Sequence, residues 1–429
     1  MESANDIDVC VIGGGPAGMM AAGRAAESGA RVVLLEKNDR LGRKLLITGG
    51  GRCNVTNAEF RRHVLVEKYG ERGEFLHSLF ARFGPRELIE FLARYGLQTV
   101  IEEENRAFPA THRAASVLDV LTRYLSDGRV EVRTVTPVRG LVADPSSRRV
   151  TGVATPSGLL EARSVIVATG GLSRPETGST GEGLAWLSAI GHSVRIPEPS
   201  LVPLRACEPW VARLAGLAFD DARLTALPLA GERLAKTPSE RGKLLFTHFG
   251  LSGPLALNLS SRILELARAA GDEEEHLRLL VDLAPTEDHA KLDATIRESL
   301  AAAPNRKVRN SLPQALPGRM VPVLLELAKV DPDLPAHSLK RTSRLEIVRL
   351  MKALPLTFDG LLGTDKAIVT SGGVALQEID FRSMRSRLFD NLYLAGDVLD
   401  FQRRSGGYSL QICWSSGWVA GSASAEGCR

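Results

Sequence analysis

The feature that most constrains this chain is a glycine motif near its N-terminus, within the stretch VCVIGGGPAGMMAAGRAAESGARVVLLEK. The pattern predicts a strand, a helix that begins near Pro16, and a second strand. In Gly13-x-Gly15-x-x-Gly18, the first glycine permits a tight turn, the second lets a pyrophosphate approach the backbone, and the third lets the helix pack closely. Glu36 ends the second strand, where a carboxylate accepts hydrogen bonds from a ribose diol. Because the two strands, the helix and the acid all agree with the spacing of the glycines, the stretch predicts a dinucleotide site in an α/β fold.

The composition limits which classes of protein this chain can belong to. The chain has 429 residues, 44% of them hydrophobic and 24% charged, and a net charge of +4. These values are typical of a globular protein with room for two domains, and they neither demand nor exclude an anionic partner. Its five cysteines form no CxxC pair, which argues against a disulfide framework or a structural zinc site. Acidic residues stand where a secretory signal needs positive charge, and no apolar run is long enough to span a bilayer, so we expect a cytoplasmic protein.

A second glycine-rich stretch, LGRKLLITGGGRCNVTN, covers residues 41–57. Its glycines, residues 49–51, are flanked by Lys44, Arg52 and Asn54. Glycines let a large planar ring lie against the backbone, where N–H groups bond the ring heteroatoms. The alternative is a flexible surface loop, but loops so rich in polar groups often carry function. The stretch therefore favours a loop that contacts a cofactor ring.

Later segments repeat the layout of a nucleotide-binding domain that is split along the chain. Short alternating strands over 129–163 predict a β-meander, and the apolar strand Ser164–Thr169 stops on glycine. Near the C-terminus, NLYLAGDV again places a glycine and an acid, Gly396 and Asp397, after a strand. Glycine turns and an Ala/Ser/Gly-rich helix suited to close packing follow. First and last segments that both supply such turns are typical of a flavoprotein.

Several motifs between residue 13 and about residue 421 carry a resemblance to a known family: GGGPAG, KLLITGGGRCNVTN, ATGG, GKLLFTHFGLSGP, TSGGVA, LAGDVLD and SGGYSLQ…WSSG. On these motifs the chain resembles the NAD(P)/FAD-dependent oxidoreductases of the BaiN/RdsA family, also described as aminoacetone oxidase-like. The resemblance implies bound FAD and a glutathione-reductase-type flavoprotein fold: a Rossmann-like FAD-binding domain with an inserted β-barrel-like plus helical domain. The last motif departs from the family, since Phe401-Gln402-Arg403-Arg404 replaces an acid and glycine before the arginine and Ser409 replaces an asparagine. The departure leaves the substrate preference open.

The regular alternation of strands and helices fails in the middle of the chain. We predict an FAD-binding domain over 1–196 and 356–429, and an inserted β/α domain on the substrate side over 197–355. No second GxGxxG unit follows a strand, because Gly178-x-x-Gly181-x-Gly183 is typical of a helix start instead. NAD(P)H, the expected reductant, would then bind transiently without a Rossmann domain of its own.

The motifs and the resemblance together predict the residues that bind FAD. They lie in the first glycine turn and acid, in the second glycine loop, in the strand ends of the split domain and in the C-terminal turn. They are Ile12, Gly13, Gly15, Pro16, Ala17, Gly18, Glu36, Lys37, Gly42, Arg43, Lys44, Thr48, Gly50, Arg52, Cys53, Asn54, Val138, Ala168, Thr169, Gly170, Gly396, Asp397, Gly407, Tyr408, Ser409 and Leu410.

Three side chains are candidates for proton transfer, because reduction of a polarised double bond needs an acid beside the hydride acceptor. Cys53 follows a cation that favours a thiolate, but a small packed cysteine is the stronger interpretation. Tyr408 stands between glycine turns, as a donor or as a cap of the C-terminal turn. His248 lies in a polar loop of the middle segment, and a histidine satisfied within the fold explains it equally well.

Four basic clusters remain: residues 305–309, 340–344, 382–387 and 403–404. Charge runs are usually solvated faces, and these have no interleaved aromatic residues for base stacking. The family's assigned activities include enone reduction, amine oxidation and uridine reduction in ribosomal RNA. We therefore expect an FAD-dependent oxidoreductase that reduces a polarised C=C bond, with a uracil ring in ribosomal RNA as one substrate. Alternatives are an oxidase of a small amino-ketone such as aminoacetone, and a non-catalytic flavin-containing RNA-binding protein.

Overall fold

The computed structural model describes residues 7–228, 237–269, 277–312, 316–362 and 369–428. The acidic Glu2 and Asp6 lie outside these residues. The chain forms two compact units, which we call the sheet unit, Met1–Ser200 with Ala367–Arg429, and the barrel unit, Leu201–Lys366.

The sheet unit is built on a seven-stranded sheet. Its strands, in spatial order, are Ile379–Asp380, Arg385–Ser386, Leu392–Leu394, Ser164–Val167, Val9–Ile12, Val32–Leu35 and Glu131–Arg133. The five strands from Leu392–Leu394 to Glu131–Arg133 are parallel, and the other two form an antiparallel edge. Both faces of the central strands are buried, which explains why they are continuous apolar runs. The predicted strands at 8–12, 31–35 and 164–169 are thus confirmed, each within two residues of its ends.

The sheet unit has eight α-helices in the described residues. They are Pro16–Glu27, Arg43–Leu46, Arg62–Glu67, His77–Arg82, Pro85–Arg94, Ala114–Asp127, Glu182–Ala189 and Tyr408–Glu426. The first and last of them pack closely, because a Cβ on Gly417 or Gly421 would lie 2.4 Å from the Ala17 oxygen or 2.3 Å from the Ala21 oxygen. The Ala/Ser/Gly-rich C-terminal helix therefore does pack closely, as its composition predicted. Gly181 precedes the helix Glu182–Ala189, as predicted for a helix start.

Three small antiparallel sheets complete the sheet unit. Their strands are Thr56–Asn57 with Arg106–Pro109 and Thr99–Ile101, then Gly140–Asp144 with Arg149–Thr155 and Gly158–Glu161, and finally Val194–Ser200 with Val369–Val374. The second of these is the predicted meander, but it begins at Gly140 rather than near residue 129. The segment Glu131–Arg133 pairs in parallel with Val32–Leu35 instead, so that assignment was wrong.

The barrel unit closes six antiparallel strands into a barrel. In spatial order they are Leu204–Ala206, Gly250–Ser252, Ser239–Phe246, Ala218–Pro228, Leu277–Asp282 and Leu354–Leu361. Five helices accompany it in the described residues: Gly253–Ala269, His289–Ala301, Val308–Ser311, Met320–Leu327 and Arg341–Lys352. The unit has its own apolar core, as expected for an inserted β-barrel-like plus helical domain.

The barrel sets the boundaries of the insertion. The sequence suggested that the FAD-binding domain resumes at residue 356. Leu354–Leu361, however, alternates buried and half-buried residues and pairs with both Leu204–Ala206 and Leu277–Asp282. It closes the barrel, and the barrel unit accordingly runs from Leu201 to Lys366. Among the helices described, none is long and apolar enough to cross a membrane.

Candidate cofactor site and proton donors

Parallel pairing brings most predicted cofactor residues to one edge of the sheet. Four neighbouring strands end at Ile12, Leu35, Val167 and Leu394. The residues that follow are the first glycine turn, Glu36, the segment 168–170 and the pair Gly396-Asp397. The strand Val9–Ile12 has the next strand of the chain, Val32–Leu35, on one side and Ser164–Val167 on the other, so the strand order reverses here. This edge is therefore a topological switch point, where doubly wound sheets bind their ligands.

The glycines of the first turn differ in what surrounds them. A Cβ on Gly18 would lie 1.9 Å from the Gly13 oxygen, and one on Gly13 would lie 2.6 Å from the Ala168 oxygen. A Cβ on Gly15 would meet no described atom within 4 Å, although this residue precedes the helix N-terminus. Open space beside free helix N–H groups suits an anionic group that approaches the backbone. The turn therefore fits the pyrophosphate of a dinucleotide.

The carboxylate of Glu36 is held at the base of this turn. It accepts hydrogen bonds from the backbone N–H of Gly14 at 2.7 Å and from the backbone N–H of Asn38 at 2.8 Å. The Asn38 side chain donates a third bond, at 2.7 Å. Glu36 is buried, so its position is fixed by these donors before any ribose arrives. Asn38 was missed by sequence reasoning, although its place two residues after the acid is a usable signal.

Asp397 lies among cations. The Arg403 Nε lies 3.3 Å from its Oδ1, and the Lys44 Nζ lies 3.4 Å from its Oδ2. Burial by itself would raise the pKa of Asp397, but Arg403 and Lys44 hold that pKa below its usual value. The carboxylate is therefore charged and can accept hydrogen bonds. Lys44 also donates to the Ser173 hydroxyl at 2.7 Å, a partner that the sequence did not indicate.

Arg403 is not part of a solvated basic cluster, contrary to the sequence interpretation. Only 5% of the residue is exposed, and its guanidinium donates to the Leu399 oxygen at 2.9 Å. Together with its contact to Asp397, this bond fixes the chain just before the C-terminal helix. The arginine thus supports the turn at Gly396 and is removed from any surface that contacts a polyanion.

The second glycine loop adopts a conformation that other residues rarely take. Gly49, Gly50 and Gly51 all have positive φ, between 56° and 85°, and a Cβ on Gly50 would meet no described atom within 4 Å. The Arg52 guanidinium lies 4.1 Å from the Phe108 ring centre, and it pairs with Glu102. The loop is anchored on one side and open on the other, which fits a planar ring laid against its backbone.

Hydrogen bonds join this loop to the start of the C-terminal helix. With the Asn54 amide oriented by its neighbours, its oxygen accepts from the Gly407 N–H at 3.2 Å. The Thr56 hydroxyl donates to the Gln411 side chain at 2.5 Å. The Trp414 indole donates to the Val55 oxygen at 2.9 Å. A Cβ on Gly407 would lie 2.3 Å from the Thr56 carbonyl carbon, so only glycine allows this approach. The structure therefore joins the end of the second glycine loop, residues 54–56, to the start of the C-terminal helix, residues 407–414.

Two of the proton-transfer candidates lie at this junction. Cys53 is buried, and burial raises the pKa of its thiol to about 11, so it is a neutral thiol rather than a thiolate. Tyr408 is half-buried, and burial raises its pKa as well. The Tyr408 hydroxyl has no hydrogen-bond partner in the described part of the chain, whereas its backbone oxygen accepts from the Tyr69 hydroxyl at 2.9 Å. Tyr408 is thus the freer proton donor of the two.

Other predicted residues have local partners. Lys37 donates to the Thr180 hydroxyl at 2.6 Å and pairs with Glu182 at 2.7 Å, so these two residues already engage its ammonium. Arg43 donates to the Asn38 side chain at 2.8 Å. Val138 is buried. His248 belongs to the barrel unit, where it is exposed and its ring centre lies 4.8 Å from that of Phe249.

Comparison with known proteins decides the family. The model of the family described as HI0933-like protein Rossmann domain matches residues 7–423. The chain belongs to this family. It is 33% identical over 420 residues to a 3-dehydro-bile acid delta(4,6)-reductase of Clostridium scindens, a match that covers 97% of this chain and 98% of the relative. It is 29% identical to the ribosomal RNA dihydrouridine synthase of Escherichia coli, with 96% of each chain covered.

Solved structures agree on the fold. A 3-ketosteroid-delta4-(5alpha)-dehydrogenase from Rhodococcus jostii matches with a TM-score of 0.53 and 17% identity, covering 99% of this chain and 98% of that one. The predicted family and fold class are confirmed, and with them the expected type of enzyme, an FAD-dependent oxidoreductase with a Rossmann-type FAD-binding domain.

The neutral state of Cys53 predicts its reactivity in this family member. Alkylating reagents attack thiolates that they can reach, so a buried thiol with a raised pKa should resist them. We expect iodoacetamide to modify the exposed Cys207 of the folded protein and to reach Cys53 only after denaturation. Peptide mass mapping before and after denaturation measures both. Alkylation of native Cys53 as fast as that of Cys207 would show that a reactive thiolate is present after all.

Proposed function

We propose that this protein is a reductase that uses bound FAD to reduce a C=C bond conjugated with a carbonyl group, with NAD(P)H as the electron donor. One NAD(P)H and one proton are consumed for each bond reduced. The observation that carries the proposal is the phenol of Tyr408, which is protonated, half-buried and without a hydrogen-bond partner in the described residues. Such a group suits a reaction that needs an acid beside a hydride acceptor.

The relatives support this reaction class. The names of the two enzymes reported above describe reduction of a 3-oxo bile acid at its ring double bonds and conversion of uridine to dihydrouridine. In both substrates the reduced bond is conjugated with a carbonyl group. Hydride adds at the carbon remote from the carbonyl and a proton at the carbon next to it. A uracil ring in ribosomal RNA and a small cyclic enone are therefore the two substrate forms of the proposal.

The described residues provide distinct supports for FAD. Gly15 and the helix N-terminus behind it would face the pyrophosphate, and Glu36 the adenosine ribose. Asp397 would accept a hydrogen bond from the ribityl chain, and the glycine loop 49–51 would lie along the ring. Bound there, FAD supplies hydride transfer between donor and substrate.

Tyr408 would act on the substrate rather than on the cofactor. Since its pKa is raised, the phenol keeps its proton throughout the physiological range and can give it to the carbon next to the substrate carbonyl. The Tyr69 hydroxyl bonds the Tyr408 backbone oxygen and so fixes the start of the helix that carries the phenol. Burial keeps the Cys53 thiol neutral too, but this thiol is packed inside the loop.

Anaerobic mixing of the purified protein with candidate donors tests the proposal. We expect NADH or NADPH to reduce and so bleach the yellow flavin within the time of one catalytic cycle, and aminoacetone to leave the flavin oxidised. Bleaching by aminoacetone, with neither nicotinamide active, would favour the amino-ketone oxidase instead. A flavin that none of the three reduces would favour the non-catalytic alternative. In each case the absorbance of oxidised flavin is the readout.

A further inference from the structure

The basic cluster at residues 382–387 lines a cavity. Arg382, Arg385 and Arg387 on the antiparallel edge of the sheet, together with Arg148 on the turn of the meander, line a space of about 520 Å³. Ser386 and the carboxylates Asp380 and Asp390 complete the lining. The cavity therefore carries more positive than negative charge.

The carboxylates of this cavity are already engaged. Asp380 accepts from the Arg382 backbone N–H at 3.0 Å and from the Ser383 hydroxyl at 3.0 Å. Asp390 lies 3.6 Å from the Arg148 guanidinium. No ion pair within 4 Å forms at the guanidinium groups of Arg382, Arg385 or Arg387 in the described part of the chain. Other basic clusters differ: Arg309 pairs with Asp333 at 3.0 Å and Arg344 with Asp293 at 2.6 Å.

A buried hydrogen-bond network holds the edge that carries these arginines. The Ser386 hydroxyl accepts from the backbone N–H groups of Leu388 at 3.0 Å and Phe389 at 3.1 Å. It also bonds His192 Nε2 at 3.0 Å, and His192 Nδ1 lies 2.7 Å from the Glu378 carboxylate. The hydroxyl is saturated and buried, so the serine, histidine and glutamate position the edge and do not form a hydrolytic site. The arginines on either side of Ser386 thus project from a fixed backbone.

The cavity is separate from the candidate cofactor site. Residues 387–390 precede the strand Leu392–Leu394, whereas Gly396 and Asp397 follow it. The strand Leu392–Leu394 therefore lies between these two segments of the chain. Residues 387–390 of the cavity therefore lie at the opposite edge of the parallel sheet from the glycine turns, and FAD does not account for them.

We propose that this arginine cavity is a binding site for phosphate groups, an assignment that goes beyond the proposed reductase activity. Guanidinium groups bind phosphate oxygens through paired N–H donors, and those of Arg382, Arg385 and Arg387 have no carboxylate partner among the residues that the structure describes. None of the lining residues is aromatic, so the site contacts phosphates and not stacked bases. The phosphates belong either to the backbone of a folded RNA or to a small phosphorylated molecule. A folded RNA would meet the site through its phosphodiester backbone.

Binding measurements on the FAD-loaded protein test the site. The probes are a fluorescent RNA hairpin, titrated over a series of salt concentrations, and inorganic tripolyphosphate, titrated by calorimetry. The test variant is Arg385→Gln/Arg387→Gln, and Arg129→Gln/Arg133→Gln removes the same charge elsewhere on the sheet unit. Arg385→Lys/Arg387→Lys keeps the charge but loses the paired donors, and thermal denaturation confirms that each variant is folded.

For an RNA ligand, the test variant should bind the hairpin at least about tenfold more weakly per arginine removed, since each is a hydrogen bond between charged groups. The slope of log affinity against log salt should become shallower by about 1.4 to 1.8, and the lysine variant should keep the slope. If only tripolyphosphate binding weakens, the site takes a small phosphorylated ligand. If neither probe distinguishes the test variant from its control, the assignment is wrong. No turnover is measured, so a failure of the reductase proposal would leave this result intact.

Discussion

Gly15→Ala should leave the protein folded but unable to hold FAD tightly. Gly15 has φ −82° and ψ −177°, which alanine adopts without strain, and its Cβ would meet no described atom within 4 Å. The methyl group would instead occupy the space that we assign to the pyrophosphate. Overpacking of this kind costs about 1–3 kcal/mol, so FAD affinity should fall by between roughly fivefold and 150-fold. Equilibrium titration of the apoprotein with FAD measures the loss.

Gly18→Ala should lower the stability of the apoprotein itself, whereas Gly140→Ala should change neither stability nor FAD affinity. The Gly18 Cβ would lie 1.9 Å from the Gly13 oxygen, so the turn itself must shift and the apoprotein should melt earlier, by about 2–4 °C for each kcal/mol lost. A Cβ on Gly140 would meet no described atom within 4 Å, and this glycine is remote from the turn in the chain. Normal FAD affinity in Gly15→Ala would show that the pyrophosphate does not lie against this residue.

Tyr408→Phe should slow only the step in which substrate reoxidises the flavin. Loss of a positioned general acid reduces a rate by about a hundredfold to ten-thousandfold, whereas reduction of the flavin by NAD(P)H needs no phenol. Separate anaerobic stopped-flow measurements of the two half-reactions distinguish these effects. Cys53→Ser is the matched comparison at the neighbouring loop, and both of its half-reactions should keep their rates.

The pH dependence of this step has a defined sign. The acid must be protonated to act, so the rate of the oxidative half-reaction falls as pH rises through its pKa. Because burial raises the pKa of Tyr408 above the ordinary value near 10, the decline should begin only above about pH 10 and should disappear in Tyr408→Phe. If Cys53→Ser and not Tyr408→Phe slows this half-reaction, the thiol is the acid. Loss of flavin reduction in Cys53→Ser would mean that the residue holds the cofactor or the donor in place.

The first glycine turn could be predicted because its requirements are local. A strand, three spaced glycines, a helix and an acid within about thirty residues define one βαβ unit, whatever the rest of the chain does. The structure places Glu36 beside Gly14 as this unit requires. The second loop could also be predicted, since three consecutive glycines allow the positive φ values that bring a backbone close to a planar ring.

Features that depend on partners far away in the chain could not be predicted from the sequence. The strand Leu354–Leu361 closes a barrel by pairing with residues about 150 positions earlier. The alternation of apolar and polar residues in this strand predicts a strand but does not identify its partner. Arg403 looked like one half of a basic pair, but its burial depends on Asp397 and the backbone of the turn beside it. His192 and Ser386 meet across 194 positions, so their contact has no sequence signal.

The most direct test of the reductase proposal starts from protein whose flavin has been reduced anaerobically. This protein is mixed, without oxygen, with ribosomal RNA that lacks dihydrouridine or with a small cyclic enone, and flavin absorbance and product mass are followed together. We predict that one of the two substrates restores the oxidised flavin spectrum and gains two hydrogen atoms, in equal amounts. A flavin that stays reduced with both substrates, but is rapidly reoxidised by oxygen with release of hydrogen peroxide, would contradict the account and favour an oxidase.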